Sequence, residues 1–143
     1  MVVKVGDVAS KKLITITPSA TLKEAAETMI KNGVSFLVVM ENGKLYGVLS
    51  EKDIVRCIAE GKDVNSTKVG DVCTREVITI KEDAPLQEAA KLMRRHRIRH
   101  LVVVDSSGRP VGVISIRDLV REEATLKKIE ELTPDQLEEW WFG

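Results

Sequence analysis

Ser50 and Asp53 stand three residues apart, and Ser115 and Asp118 repeat that spacing in the second half of the chain. A serine followed at i+3 by a carboxylate has two chemistries open to it. At the start of a helix the hydroxyl accepts from the backbone N–H three residues on while the acid reaches back to the cap N–H, a capping box. In a cleft the carboxylate can instead accept two hydrogen bonds from a sugar diol, the serine meeting a phosphate or sugar oxygen near the free N–H groups of a helix N-terminus. The two readings are compatible. A second feature is the run Arg94-Arg95-His96-Arg97-Ile98-Arg99-His100, in a chain whose 22 Lys+Arg balance 22 Asp+Glu. It is the place an anion would be drawn to. Its first half reads as a solvated helix end favoured by the C-terminal dipole. Arg99 and His100 instead enter a strand leading into Leu101, Val102 and Val103, where a counter-ion or phosphate would offset their desolvation. Lys52 and Arg117, each just before an aspartate, reach for further phosphates or stay in solvent.

The elements that must position these groups are written twice. VGDV, LITI, ATLKEAAETM and LVV, read from Val5, return from Val69 as VGDV, VITI, APLQEAAKLM and LVV. Positions 5–39 match 69–103 at 16 of 35 places, and GVLSEKDIVR (Gly47 to Arg56) answers GVISIRDLVR (Gly112 to Arg121). In each copy a β-branched run (Leu13 to Thr17; Val77 to Ile80) predicts a short strand. Leu22, Ala25, Ala26, Met29 and their echoes Leu86, Ala89, Ala90, Met93 then recur at i, i+3, i+4, i+7, a helical face, with Ser19 and Asp83 ahead of it as caps and Pro85 in the first turn. Phe36 to Met40 and Leu101 to Val104 read as buried strands. Each forms a hairpin, with Tyr46 to Leu49 and Val111 to Ile114, across Glu41-Asn42-Gly43 and Asp105-Ser106-Ser107-Gly108. A second helix begins near Ser50 and near Ser115. The order is β-α-β-β-α in each copy, an α/β (α+β) fold. We divide the chain into repeat 1 (1–60), a polar linker (61–68), repeat 2 (69–122) and a short C-terminal helical tail (123–143). Copies of about 60 residues bury their apolar faces best as a pseudo-twofold pair sharing a central cleft, the first place to look for a ligand.

Tandem βαββα units carrying Gly-Val-Leu-Ser-Glu-Lys-Asp (Gly47 to Asp53) and Gly-Val-Ile-Ser-Ile-Arg-Asp (Gly112 to Asp118) at the last strand-to-helix junction resemble a pair of CBS domains, the Bateman module. The resemblance covers roughly residues 3–122. It implies a non-catalytic sensor that binds AMP, ADP or ATP in the cleft and signals to a partner, with S-adenosylmethionine or another adenosyl compound as the alternative ligand. It further implies that Asp118 and Asp53 hold ribose with Ser115 and Ser50 beside them, and that Arg99 and His100 meet the phosphate. By position the base would lie against Ile14, Val34 and Ser35 in the main site, which also takes Arg117, and against Ile78, Ile98 and Arg99 in the second site, which takes Lys52. The ordinary reading of those apolar residues is core packing. Repeat 1 has Ser35 and Phe36 where repeat 2 has Arg99 and His100, so the two sites are not expected to bind alike. Family modules commonly pair into a flat disc through their helices, and a homodimer is expected here.

Other classes fare worse. There is no Gly-rich P-loop, no metal-ligand cluster and no plausible triad, so no enzyme and no required cofactor is expected. Cys57 and Cys73 have no CxxC spacing. With no signal-like leader and no long apolar run, we expect a cytoplasmic protein without a membrane partner. The neutral charge and lack of aromatic platforms near the basic run argue against a nucleic-acid-binding module. A purely structural adaptor is the other rival. Beyond the repeats, Thr125 to Leu132 continues a helical pattern. Thr133-Pro134-Asp135-Gln136 then starts a helix with a capping Thr, Pro at N1 and Gln at N3. It ends in Trp140, Trp141 and Phe142, which pack on the chain's own body or a dimer mate, or dock a partner protein.

Overall fold

The computed structural model describes residues 2–121 and 133–136. The elements run α1 (Val5–Val8), β1 (Thr15–Ile16), α2 (Leu22–Asn32), β2 (Phe36–Glu41), β3 (Lys44–Ser50) and α3 (Glu51–Ala59). The order then repeats as α4 (Val69–Val72), β4 (Thr79–Lys81), α5 (Leu86–His96), β5 (His100–Val104), β6 (Pro110–Ser115) and α6 (Ile116–Val120). The expected β-α-β-β-α order is present twice. Each copy adds a one-turn helix at VGDV, too short to leave a periodic signal. The expected tail helix is helical at residues 134–136, with Thr133 Oγ1 accepting from the Gln136 N–H at 3.3 Å. The readings for Thr125 to Leu132 and for Trp140, Trp141 and Phe142 lie outside the described residues.

Two three-stranded sheets form, β1-β2-β3 and β4-β5-β6, each with a parallel first pair and an antiparallel hairpin. The β2–β3 hairpin closes on Asn42 and Gly43, both left-handed at φ 51° and 77°, as a two-residue turn of this hand requires. In the β5–β6 hairpin the Asp105 carboxylate accepts from the Arg109 and Ser107 amides, both at 2.9 Å, which holds its pKa below the ordinary value.

Packing divides the chain differently from the repeat. One compact unit is Leu13–Val77; the other is Met1–Lys12 with Ile78–Gly143. We refer to them as the Asp53 unit and the Asp118 unit. The core of the Asp53 unit takes Leu22, Ala25, Met29, Leu37, Val39, Leu49, Ile54 and Cys57, and with them Val69 of α4. The Asp118 unit packs Ile80, Leu86, Ala89, Met93, Leu101, Val103, Ile114, Ile116 and Leu119 around Val5 of α1. Each VGDV turn therefore completes the core built by the β-α-β-β-α run of the other copy.

The helix starts show how these segments are held. Thr21, rather than Ser19, caps α2: its Oγ1 accepts from the Glu24 N–H at 3.2 Å, and Glu24 Oε1 returns to the Thr21 hydroxyl and amide. The Leu22 and Lys23 amides donate to the Thr67 and Val64 carbonyls, so the 61–68 segment satisfies helix donors left without partners of their own. At α5, Asp83 is not the cap. Pro85 occupies that position without a side-chain bond, and the Leu86 amide donates to Val3 O at 2.9 Å. In both cases the cap lies nearer the helix than expected, and a remote carbonyl meets the first helical amide.

Candidate functional site

The Ser-x-x-Asp pairs close capping boxes in both units, and this leaves each aspartate half available. In the Asp118 unit, Ser115 has extended backbone (φ −113°, ψ 164°), and its Oγ accepts from the Asp118 amide at 3.3 Å. Asp118 Oδ2 accepts from the Ser115 amide at 2.8 Å and from its hydroxyl at 3.1 Å. In the Asp53 unit, Asp53 Oδ2 accepts from the Ser50 amide at 2.8 Å and its hydroxyl at 3.0 Å, with 3.4 Å for the return bond. One oxygen of each carboxylate is thus committed to starting a helix. Only Oδ1 remains for other donors.

Sequence reasoning missed who stands at Oδ1. Arg56 Nη2 donates to Asp53 Oδ1 at 2.8 Å, whereas Arg121 Nη1 stays 3.8 Å from Asp118 Oδ1. The signal was present as Asp-x-x-Arg in both copies, a spacing at which helical side chains meet. Asp53 is the one buried charged residue among those described.

Around each box the other predicted residues fall by unit. The Glu51 amide donates to Ser35 O and the Ile116 amide to Arg99 O, both at 2.9 Å, fixing those segments beside the helix starts. Phe36 pairs with Ser50 across its hairpin, and His100 pairs with Ser115 across the other, so each shares a face with its capping serine. His100 titrates at about 4, lowered first by burial and then by Arg99, with Asp118 opposing and Arg117 adding to the fall. Arg99, Asp118 and Arg117 therefore all lie close enough to act on His100. The expectation that Arg99 needs a counter-ion to offset desolvation is corrected, because the Arg99 side chain is exposed; the partly buried His100 is shifted toward its neutral form. Lys52 is exposed as well.

Ile14 and Val34 pack against the core of the Asp53 unit, Ile78 and Ile98 against that of the Asp118 unit, and all four stay only partly buried. Val34 and Ile98 each follow a left-handed helix cap and donate to Met29 O and Met93 O at 3.0 Å, which fixes them as the first rigid residues after the turn. Of the residues expected in the main site, Ile14, Val34 and Ser35 belong to the Asp53 unit and Arg99, His100, Ser115, Arg117 and Asp118 to the Asp118 unit. Within the Asp118 unit an open groove of about 450 Å³, lined by Lys4, Asp7, Ser10, Lys11, Glu82 and neighbours, shares no residue with that set. Among the described residues no three His, Cys, Asp or Glu side chains converge as a metal site, and no helix is long and apolar enough to cross a membrane.

Two features of the unpredicted surroundings bear on the hairpins. Arg75 lies 3.5 Å over the Tyr46 ring centroid and donates from Nε to Tyr46 O at 2.7 Å. Gly47, which opens the Gly-Val-Leu-Ser motif, has room for no side chain, since a Cβ there would stand 2.6 Å from Thr74 O; at Gly112 the added atom would collide with Ser10 O.

The CBS domain family profile matches the chain twice, over residues 5–60 and 69–125. A CBS domain protein from Pyrobaculum aerophilum, solved complexed with AMP, is 32% identical and superposes with a TM-score of 0.81, covering 91% of this chain and all of that one (100%). The CBS domain pair of protein MJ0100, in complex with 5′-methylthioadenosine and S-adenosyl-L-methionine, is 30% identical with a TM-score of 0.78, covering 92% and 100%. Protein MJ1232 of Methanocaldococcus jannaschii is 39% identical over 119 residues, 83% of this chain; the chain spans 39% of that protein's length.

Proposed function

The chain belongs to the CBS domain family, and from that premise we propose that it is a non-catalytic regulatory module whose ligand is an adenine nucleotide, AMP, ADP or ATP. The carrying observation is the Asp118 unit. There Asp118 keeps one carboxylate oxygen outside the capping box, and Asp118, Arg99 and Arg117 all act electrostatically on the neutral His100, the cross-strand partner of Ser115. The carboxylate suits a ribose diol and the guanidinium groups suit a phosphate. The AMP complex of the similar Pyrobaculum aerophilum protein supports the same ligand class.

A second reading has its own observation. The Asp53 unit places Phe36 and Ser35 where the other places His100 and Arg99, so it lacks a basic side chain at those two positions and suits an adenosyl compound without a phosphate. The complex of the MJ0100 pair with 5′-methylthioadenosine and S-adenosyl-L-methionine supports that reading.

We place the module in the cytoplasm as a homodimer that signals to a protein partner. Exposed Ile30, Val55 and Ile58 on α2 and α3, at 85%, 64% and 57%, support self-association through helices. Trp140, Trp141 and Phe142 are the candidate partner contact. The test is to denature the purified chain, identify any co-purified nucleotide by mass spectrometry, and compare thermal stabilisation by AMP, ATP, S-adenosylmethionine, UMP and CMP. Saturation at 100 times Kd adds about 2.7 kcal/mol. Selective stabilisation by adenine compounds is expected; equal shifts from every base, or none, remove the proposal.

A further inference from the structure

We propose that Arg56 is a latch on the Asp53 carboxylate, which a ligand diol must displace, and that this latch weakens the Asp53 site relative to the Asp118 site. The proposal rests on the adenosyl-ligand reading of the Ser-x-x-Asp junctions. The two repeats provide an internal comparison. Both aspartates are held by the same capping box, at 2.8 Å from the serine amide and at 3.0 and 3.1 Å from the serine hydroxyl. Both have an arginine three residues on. The difference lies at Oδ1, where Arg56 makes a 2.8 Å hydrogen bond and Arg121 stops at 3.8 Å, beyond hydrogen-bonding distance.

A vicinal diol donates two hydrogen bonds, and the box already uses Oδ2 twice. The lone pairs of Oδ1 are what remains, and Arg56 occupies that oxygen. The latch can open. The Arg56 side chain is 53% exposed against 12% for Asp53, and among the described residues its guanidinium makes no other polar contact. Leaving Asp53 therefore returns the guanidinium to water, and the bond lost is a half-exposed ion pair, whose strength is modest.

Adenosine is the clean probe, because removing a cation also weakens the attraction for an anionic phosphate. On the full chain carrying Asp118→Asn to silence the other site, adding Arg56→Ala should tighten adenosine about 2- to 10-fold by titration calorimetry. Arg56→Lys, which keeps a cation in reach, should give a smaller gain. The 2′-deoxy analogue, lacking one diol hydroxyl, should gain less than adenosine. Unchanged or weaker adenosine binding in the Arg56→Ala chain, with AMP still bound by the wild-type chain, overturns the latch alone. Failure of the wild-type chain to bind AMP or adenosine overturns the ligand reading and the latch with it.

Discussion

At the position where the first repeat has Phe36 facing its capping serine, the second has His100 facing Ser115. The histidine is neutral in the fold because burial and the charges of Arg99 and Arg117 outweigh the pull of Asp118, taking its pKa from 6.5 to about 4. The unfolded chain thus binds a proton that the folded chain refuses anywhere between those values. The stability this confers is complete above pH 6.5 and is lost as the pH falls toward 4, up to about 3 kcal/mol. His100→Phe, which copies the first repeat, should remove that part of the acid sensitivity. Urea unfolding of both chains at pH 7 and pH 4.5 checks it: a difference between the two pH values that is the same in both chains would mean His100 is not the group that refuses the proton. The Ser-x-x-Asp boxes were legible in the sequence because a cap is a contact three residues long. The exposure of Arg99 was not, since the strand begins one residue later, at His100, and alternation of faces cannot be counted until the start is known.

Helix ends carry a similar contrast between the copies. α2 closes on Gly33 at φ 63°, while α5 closes on Arg97 at φ 55°, a left-handed backbone that a side chain resists. Arg97→Gly should therefore stabilise the fold by about 0.5–1 kcal/mol, raising the melting temperature slightly; a fall would show that the Arg97 side chain contributes more than its backbone strain. At the hairpins the constraint runs the other way. Gly112 lies within β6, which leads to Ser115, and Ser10 bonds Val113 in both directions at 3.0 Å, holding the Ser10 carbonyl where a Cβ would lie. Gly112→Ala should destabilise by about 1–3 kcal/mol. A melting temperature equal to wild type would mean the backbone relaxes freely there. The need for glycine was not readable from the motif itself, because the clashing carbonyl belongs to a segment about a hundred residues earlier.

Across the whole chain, the N-terminal VGDV turn buries Val5 completely in the core of the Asp118 unit, with the Val5 amide on Ala84 O at 2.9 Å and the Gly6 amide on Glu82 O at 2.7 Å. Val5→Ala should loosen β4, β5 and β6 by about 1–3 kcal/mol while leaving β1, β2 and β3 largely protected. Hydrogen exchange resolved by segment decides it, and faster exchange confined to the first three strands would contradict this packing. By itself the sequence determined the duplication, the β-α-β-β-α order within each copy, the hairpin turns and the two Ser-x-x-Asp caps. Each depends on periodicity or turn chemistry within a few residues. Only the tertiary structure decided which core each VGDV turn completes, and which aspartate oxygen an arginine closes. Two identical tetrapeptides carry no address, and two identical Asp-x-x-Arg spacings carry no distance. Their partners are selected by backbone carbonyls and buried side chains that folding brings in from elsewhere in the chain.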